Sequence, residues 1–281
     1  MNLMLVYYED PVRFLQHVGR FLEEHEAENN LILGISLSLA TDPERIKYPP
    51  YFAVVEERGT IQAAAMMTPP HRIVLSRAEK EPLTAIVADL AKRRIIIPGV
   101  NGPSETSQAF ANLWVEKNGG TYTPHRSMRI YQVSHVIPPA PIEGQMREAS
   151  EKDKHTLHQW VSDFTSEVGE PQDREDVIKT VQRGLSDRRM YLWEDRGLRS
   201  IAARSAPSSH GVRINLVYTP PEYRARGYAS ACVATLSQAM LDSGRKFCCL
   251  FADVSNPISN SIYKRIGYSP VCDFTEHNFS P

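Results

Sequence analysis

A mixed α/β fold, in which sheets of mixed strand direction are flanked by helices, is predicted for this chain of 281 residues by three observations. Short apolar runs of strand length alternate with amphipathic stretches of helix length, a pattern that neither an all-helical nor an all-strand class produces. The same order of elements, helix, hairpin, strand, helix, strand, helix, occurs twice along the chain. Between the two occurrences lies Val136-Ile137-Pro138-Pro139-Ala140-Pro141-Ile142, whose prolines favour an extended path and cannot donate to a sheet. The expected organisation is therefore a first domain over residues 1–136, a linker over 137–144 and a second domain over 145–281. A hydrophobic content of 42% is enough for two ordinary cores.

In the first half, Phe14, Val18, Phe21 and Leu22 mark one face of an amphipathic helix. Tyr51–Glu56 and Ile61–Thr68 read as strands around the turn Glu57-Arg58-Gly59, and Arg72–Ser76 as the next strand. Pro82 opens a helix with Leu83, Ile86, Val87 and Leu90 on one side. Ile95-Ile96-Ile97 then reads as a buried strand, and Pro98–Pro103 as a lead into a helix through Trp114 that stops near Gly119.

The second half repeats the order. Helices are expected over Asp153–Phe164 and Asp176–Arg183, and strands over Met190–Trp193 and Leu198–Ala206 around Glu194-Asp195-Arg196-Gly197. A turn containing His210 leads into the strand Arg213–Tyr218. Ala229, Cys232, Val233, Leu236 and Met240 recur at helical spacing, and Phe247–Ala252 is an unbroken apolar run of the kind found in strands covered on both faces. Asn256-Pro257 suits the cap and first position of a last helix. Ile258, Ile262 and Ile266 mark its buried face, and Gly267 stops it.

Composition narrows the partners. A net charge of −1 gives no overall attraction for nucleic acid or an anionic membrane. Cys232, Cys248, Cys249 and Cys272 show neither C-x-x-C spacing nor a histidine grouping, so they read as buried free thiols, with no metal site. No long apolar span or signal-like amino terminus is present, and the expected location is cytoplasmic. Oligomeric state is left open.

The chemistry concentrates in Val217-Tyr218-Thr219-Pro220-Pro221-Glu222-Tyr223-Arg224-Ala225-Arg226-Gly227-Tyr228-Ala229. A strand there passes through a proline break into a glycine turn that opens a helix. Unpaired amides of a first helical turn, with the positive end of the helix dipole, make a seat for a diphosphate. Gly227 allows close approach of a bulky anion, Ala229 keeps the turn thin, and Arg224, Arg226 and Ser230 are candidates for further contacts. Surface solvation is the alternative for the two arginines.

Arg224-x-x-Gly227-x-Ala229, followed by Asn256-Pro257-x-Ser259-Asn260-x-x-Tyr263-x-x-x-Gly267-Tyr268, resembles the GNAT superfamily of acyl-CoA-dependent N-acyltransferases over roughly residues 145–281. The resemblance implies tandem GNAT-like folds, with a strand split in the second that holds acetyl-CoA. It implies cofactor contacts at Val217, Tyr218, Arg224, Arg226, Gly227, Tyr228, Ala229, Ser230, Asn256 and Asn260, and a catalytic proton donor at Tyr263. A helix tyrosine packed on the sheet and a plain helix cap are the alternatives for Tyr263 and Asn256. Glu167 and Glu170 are weak candidates for a general base, against solvated loop carboxylates.

The first half lacks this chemistry. Ser76-Arg77-Ala78-Glu79-Lys80-Glu81 stands where the glycine turn would be, and Val115 precedes Gly119 by the interval that separates Tyr263 from Gly267. That half is expected to be a degenerate unit that shapes the acceptor pocket or stabilises its neighbour. The expected activity is transfer of an acetyl group from acetyl-CoA to a primary amine, of a small molecule, in a ternary complex. Two other readings remain: an acyl-CoA-binding or regulatory module without turnover, and an aminoacyl-tRNA-dependent transferase, which would need a basic groove for RNA.

Overall fold

The computed structural model describes residues 3–281. The chain forms two compact units. One takes the segment through Tyr131 together with Phe251–Pro257 and Pro270–Pro281, and the other takes Gln132–Leu250 and Ile258–Ser269. The carboxy-terminal segment, placed by the sequence boundary in the second domain, thus belongs to the first unit.

The first unit contains β1 (Leu3–Tyr8), α1 (Pro11–Glu23), α2 (Asn30–Thr41), β2 (Tyr51–Glu57), β3 (Thr60–Met67), β4 (Ile73–Leu75), α3 (Lys80–Arg93), β5 (Gly99–Pro103), α4 (Ser104–Asn118), β6 (Thr121–Val133) as far as Tyr131 and, from the end of the chain, β12 (Ser269–Ser280) from Pro270 onward. Its strands lie in the order β1-β2-β3-β4-β5-β12-β6. Asp10 starts α1 by accepting the Val12 amide at 2.8 Å, with Pro11 at the first helical position. Phe14, Val18 and Leu22 are buried as the spacing predicts, whereas Phe21 is only partly covered. β1, α2, β6 and β12 have no counterpart among the predicted elements.

Ile95–Ile97 is not a strand: Ile96 is 90% exposed, and the chain is irregular until β5 begins at Gly99. Pro98–Pro103, read as a lead into a helix, instead supplies that strand. β5 runs parallel to β4 and antiparallel to β12, with Asn278 opposite Gly99 and His277 opposite Val100. A β-carbon at Gly99 would run into the His277 carbonyl oxygen, which is why glycine stands inside this strand.

The second unit contains β7 (Gln145–Glu148), α5 (Lys154–Glu167), α6 (Arg174–Ser186), β8 (Met190–Glu194), β9 (Leu198–Arg204), β10 (Gly211–Tyr218), α7 (Tyr228–Asp242), β11 (Phe247–Asp253) as far as Leu250, and α8 (Pro257–Arg265) from Ile258 onward. The strand order is β11-β10-β9-β8-β7. One core joins Leu157, Trp160 and Val161 of α5, Val177 and Val181 of α6, and Leu192, Ile201 and Tyr218 of the sheet. On α8 the buried positions are Tyr263 and, just beyond its end, Ile266, while Ile258 is 72% exposed and so corrects the expected face.

The repeat of element order is also a repeat of backbone geometry. The β2–β3 turn has Arg58 at φ 52° and Gly59 at φ 80°, and the β8–β9 turn has Arg196 at φ 52° and Gly197 at φ 136°. Residue pairs with φ above zero suit the twist of tight hairpin turns, here two residues long between Glu57 and Thr60 and three between Glu194 and Leu198. The four cysteines are free, and Cys232, Cys248 and Cys249 are buried.

Candidate functional site

β10 is interrupted before it ends. Its register against β9 slips between Asn215 and Tyr218, and Leu216 takes φ 47°. A bulge of this kind turns backbone groups out of the ladder and re-aims the residues that follow. On the other side of β10, the parallel ladder to β11 pairs only Gly211–Arg213 with Phe247–Cys249 among the described residues. Leu216 and Val217 therefore form the bulge, Tyr218 rejoins β9 opposite Ile201, and all three lie beyond the last β11 pair. Their neighbours hold the end of the strand: Ser200 Oγ donates to the Tyr218 carbonyl at 3.0 Å and lies 2.9 Å from the Thr219 hydroxyl.

The chain then folds tightly into α7. The Tyr223 amide donates to Pro220 O at 2.9 Å and the Arg224 amide to Pro221 O at 3.2 Å. Ala225 (φ 61°) and Gly227 (φ 87°) both take the left-handed conformation, and a β-carbon at Gly227 would lie 3.3 Å from Ile142 Cγ2. The first α7 bond runs from the Ala231 amide to Gly227 O at 3.0 Å. The amides of Tyr228, Ala229 and Ser230 thus precede the helix's own ladder, at the end where its dipole is positive. This geometry suits an anion such as a diphosphate: three amide donors and a left-handed turn in which a side chain at Gly227 would be strained.

Three aromatic and charged side chains tie that turn to the rest of the unit, although residues 224–227 are exposed. Tyr228 Oη donates to Asp195 Oδ2 at 2.7 Å, in the β8–β9 turn. The Arg199 guanidinium lies 4.3 Å over the Tyr223 ring, from the same hairpin. Arg224 Nε donates to Thr219 O at 2.9 Å, and its Nη2 meets Glu167 Oε2 at 2.7 Å. Arg226 is exposed and Ser230 buried. Glu167 is the last residue of α5, not a loop residue; Glu170, whose amide donates to Thr165 O at 2.8 Å, lies in the exposed turn beyond.

Tyr263 is 7% exposed, and burial pushes its phenol up to about 12. Its ring packs 6.0 Å from that of Tyr268, whose hydroxyl lies 2.8 Å from Ser237 Oγ on α7. Gly267, at φ 99°, stops the helix as predicted, and a β-carbon there would lie 2.6 Å from His135 O. Asn260 lies on α8 in the same unit. Asn256, directly before α8, belongs to the segment grouped with the first unit, where its amide donates to Asp253 O at 3.1 Å. The structure thus collects Val217, Tyr218, Arg224, Arg226, Gly227, Tyr228, Ala229 and Ser230 around one turn.

Sequence reasoning missed Asp163, Asp195 and Ser200. Ser200 carried a readable signal, a lone hydroxyl beside the apolar run Ile201-Ala202-Ala203, whereas the two aspartates are joined to the turn only by the folding of distant segments. The first unit has no equivalent turn: among the described residues 76–81 none has a positive φ, and Ser76 continues the sheet by exchanging bonds of 2.9 Å with Ala64.

Residues 196–276 match the family model described as FR47-like protein. No curated protein matches the chain in sequence. Among solved structures, a GNAT-family acetyltransferase from Colwellia psychrerythraea superposes at a TM-score of 0.60 with 9% identity, covering 100% of both chains. A GCN5-related N-acetyltransferase from Sphaerobacter thermophilus gives 0.66 with 15% identity, over 99% of this chain and 95% of that one. A tandem GNAT protein from the clavulanic acid biosynthesis pathway gives 0.58 with 11% identity, over 100% and 99%. No helix among the described residues is long and apolar enough to cross a membrane. The chain therefore has the fold of the GNAT acetyltransferases, shared over its whole length with a tandem member, and its family-model match lies in the carboxy-terminal half.

Proposed function

We propose that this protein is an N-acetyltransferase that moves an acetyl group from acetyl-CoA to a primary amine of a small molecule, by direct attack in a ternary complex. One observation carries the reading: a bulged strand that leaves its parallel neighbour and runs into a left-handed turn at the start of a helix. Acetyl-CoA supplies an activated thioester and a thiolate leaving group. The amides of residues 228–230 would hold its diphosphate, and the backbone at Val217, in the bulge, and at Tyr218, where β10 has left β11, would orient the acyl arm and polarise its carbonyl. Arg226, exposed beside the turn, adds positive charge, and Asn260 on α8 is a further candidate for contact with the arm.

Nitrogen attack on the carbonyl carbon forms the amide bond as the carbon–sulfur bond breaks. Tyr263, whose buried site keeps the proton on its oxygen throughout the neutral range, would donate that proton to the departing sulfur and regain one from solvent. The nitrogen releases its own proton to water or to Glu170. The chain's net charge of −1 favours a small acceptor over RNA. Incubating the full chain with acetyl-CoA and a panel of amines, and following free thiol and acetylated product, tests the reading. Product formation with any amine supports catalysis. Cofactor binding with no turnover across the panel would favour the binding-module alternative, and failure to bind CoA at all would overturn both.

A further inference from the structure

Helix α5 presents two carboxylates, Asp163 and Glu167, one turn apart on the same face. Like charges at this spacing repel, and Glu167 also sits at the negative end of the helix dipole. Each carboxylate is answered from the strand end and turn described above. Tyr218 Oη lies 3.4 Å from Asp163 Oδ2, and Arg224 Nη2 lies 2.7 Å from Glu167 Oε2. The Arg224 guanidinium is 5.8 Å from the Tyr218 ring, so the four side chains form one group. The same guanidinium donates through Nε to Thr219 O at 2.9 Å, so one cation bonds both the strand end and the helix end. Directly past Glu167 the chain turns through Gly169, at φ 75°, into the exposed segment before α6.

We propose that Arg224 and Glu167 act together as positioning residues: the pair fixes the diphosphate-binding turn to the end of α5, so that the cofactor seat and the α5–α6 turn move as one element. This role rests on the acetyl-CoA reading. It moves Arg224 from direct diphosphate contact to support of the amides that make it, and it takes Glu167 out of candidacy as general base. The Glu167 carboxylate is already engaged by the Arg224 guanidinium, at 2.7 Å. The link also makes the two ends of the site cooperative, because ordering of the 223–228 turn by a diphosphate orders the segment that follows Glu167.

Charge reversal separates this role from its rivals. The variants are Arg224→Glu, Glu167→Arg and the double exchange, with Glu167→Gln as the mild change. CoA affinity is read by calorimetry, kcat and KM by thiol release, and local order by amide exchange over residues 223–230 in the chain without CoA. Each single reversal is expected to weaken CoA binding about tenfold and to speed exchange over the turn, while the double exchange recovers to within about threefold of the parent. Glu167→Gln weakens CoA about threefold, with the loss falling on cofactor KM more than on kcat. Recovery in the double exchange, with exchange rates back near the parent values, supports the inference. A double exchange as weak as Arg224→Glu alone overturns it, because Arg224 would then be needed by the phosphates themselves. Glu167→Gln that collapses kcat and removes the acid limb of the pH profile at unchanged CoA affinity also overturns it, by making Glu167 the base. A parent chain that orders the 223–230 amides normally and still binds no CoA would instead sink the acetyl-CoA reading, and a Glu167→Gln exchange pattern identical to the parent would sink the link by itself.

Discussion

Tyr228 Oη donates to Asp195 Oδ2 at 2.7 Å, which joins the first residue of α7 to the turn between β8 and β9. A hydrogen bond to a carboxylate is among the stronger kinds, and here it orients the residue whose amide opens the helix. Arg199, on the same hairpin, lies over Tyr223 at the other side of the turn, so the hairpin holds the turn from both ends. Tyr228→Phe and Asp195→Asn should each weaken CoA binding a few-fold while leaving the circular dichroism spectrum unchanged. The double variant should be no weaker than either single, since the two side chains form one interaction. Additive losses in a calorimetric titration would show that Tyr228 meets the cofactor independently.

Gly227 supports a sharper prediction. Its φ of 87° lies where a β-branched residue is strained, and its β-carbon position is 3.3 Å from Ile142 Cγ2. Gly227→Val should cost about 1–2 kcal/mol of stability from the left-handed conformation. CoA affinity should fall by far more than that strain implies, because the turn must reshape to admit the side chain. Retained CoA affinity in a folded Gly227→Val chain would contradict the placement of the diphosphate seat.

How much of this was readable in the residues depended on the range of the interactions involved. The strand Arg213–Tyr218, the turn to Gly227, the helix spaced by Cys232, Val233 and Leu236, and the stop at Gly267 all appear where local patterning puts them, because each is set by neighbours a few positions away. Ile95–Ile97 misled for the same reason. Three branched residues look like a buried strand, yet the true strand is the glycine-bearing Gly99–Pro103, whose composition reflects an approaching backbone from residues 277–278. On α8 the isoleucine spacing was real, but the face with Tyr263 packs inward and Ile258 does not. The carboxylates Asp163 and Asp195 had no local signature, since their partners Tyr218 and Tyr228 are 55 and 33 residues away.

Gly99→Ala tests the corrected strand. A methyl group there meets the His277 carbonyl oxygen, a backbone atom held in the β5–β12 ladder, so neither side can yield cheaply. The variant should lose on the order of 2 kcal/mol in denaturant titration and show faster amide exchange across residues 274–278. A neutral substitution would place Gly99 in a loop, as the sequence pattern had suggested.

Acid stability should reveal Asp153. This carboxylate, 5% exposed, accepts from both Nη1 and Nη2 of Arg147 at 2.8 Å and from the Ser150 amide at 2.8 Å. The Arg147 bonds, opposed by burial and aided by Ser150, hold its pKa down to about 2. A folded value below the unfolded one means stabilisation that is complete above pH ~4 and is lost as pH falls towards 2. Asp153→Asn should therefore be less stable than the parent by on the order of 2 kcal/mol at pH 7, with the gap closing below pH 3. A gap that stays constant from pH 7 to pH 2 would contradict the assignment.

Tyr263 brings the chemistry to a test in which packing and catalysis give different answers. Burial raises its phenol to about 12, so the proton-carrying form needed by a departing thiolate is retained well past neutrality. A folded value raised above the unfolded one contributes stability that is fully present below pH ~10 and is lost as pH rises through 12. No basic limb from Tyr263 should therefore appear in kcat below pH 10. Tyr263→Phe keeps the ring that packs against Tyr268 and removes only the donor, so its melting temperature and CoA affinity should stay close to those of the parent. Turnover at saturating acetyl-CoA should nevertheless fall by roughly 10²-fold. If Tyr263 serves only as packing, the same variant would turn over at the parent rate, and the proton for the leaving sulfur would have to come from solvent.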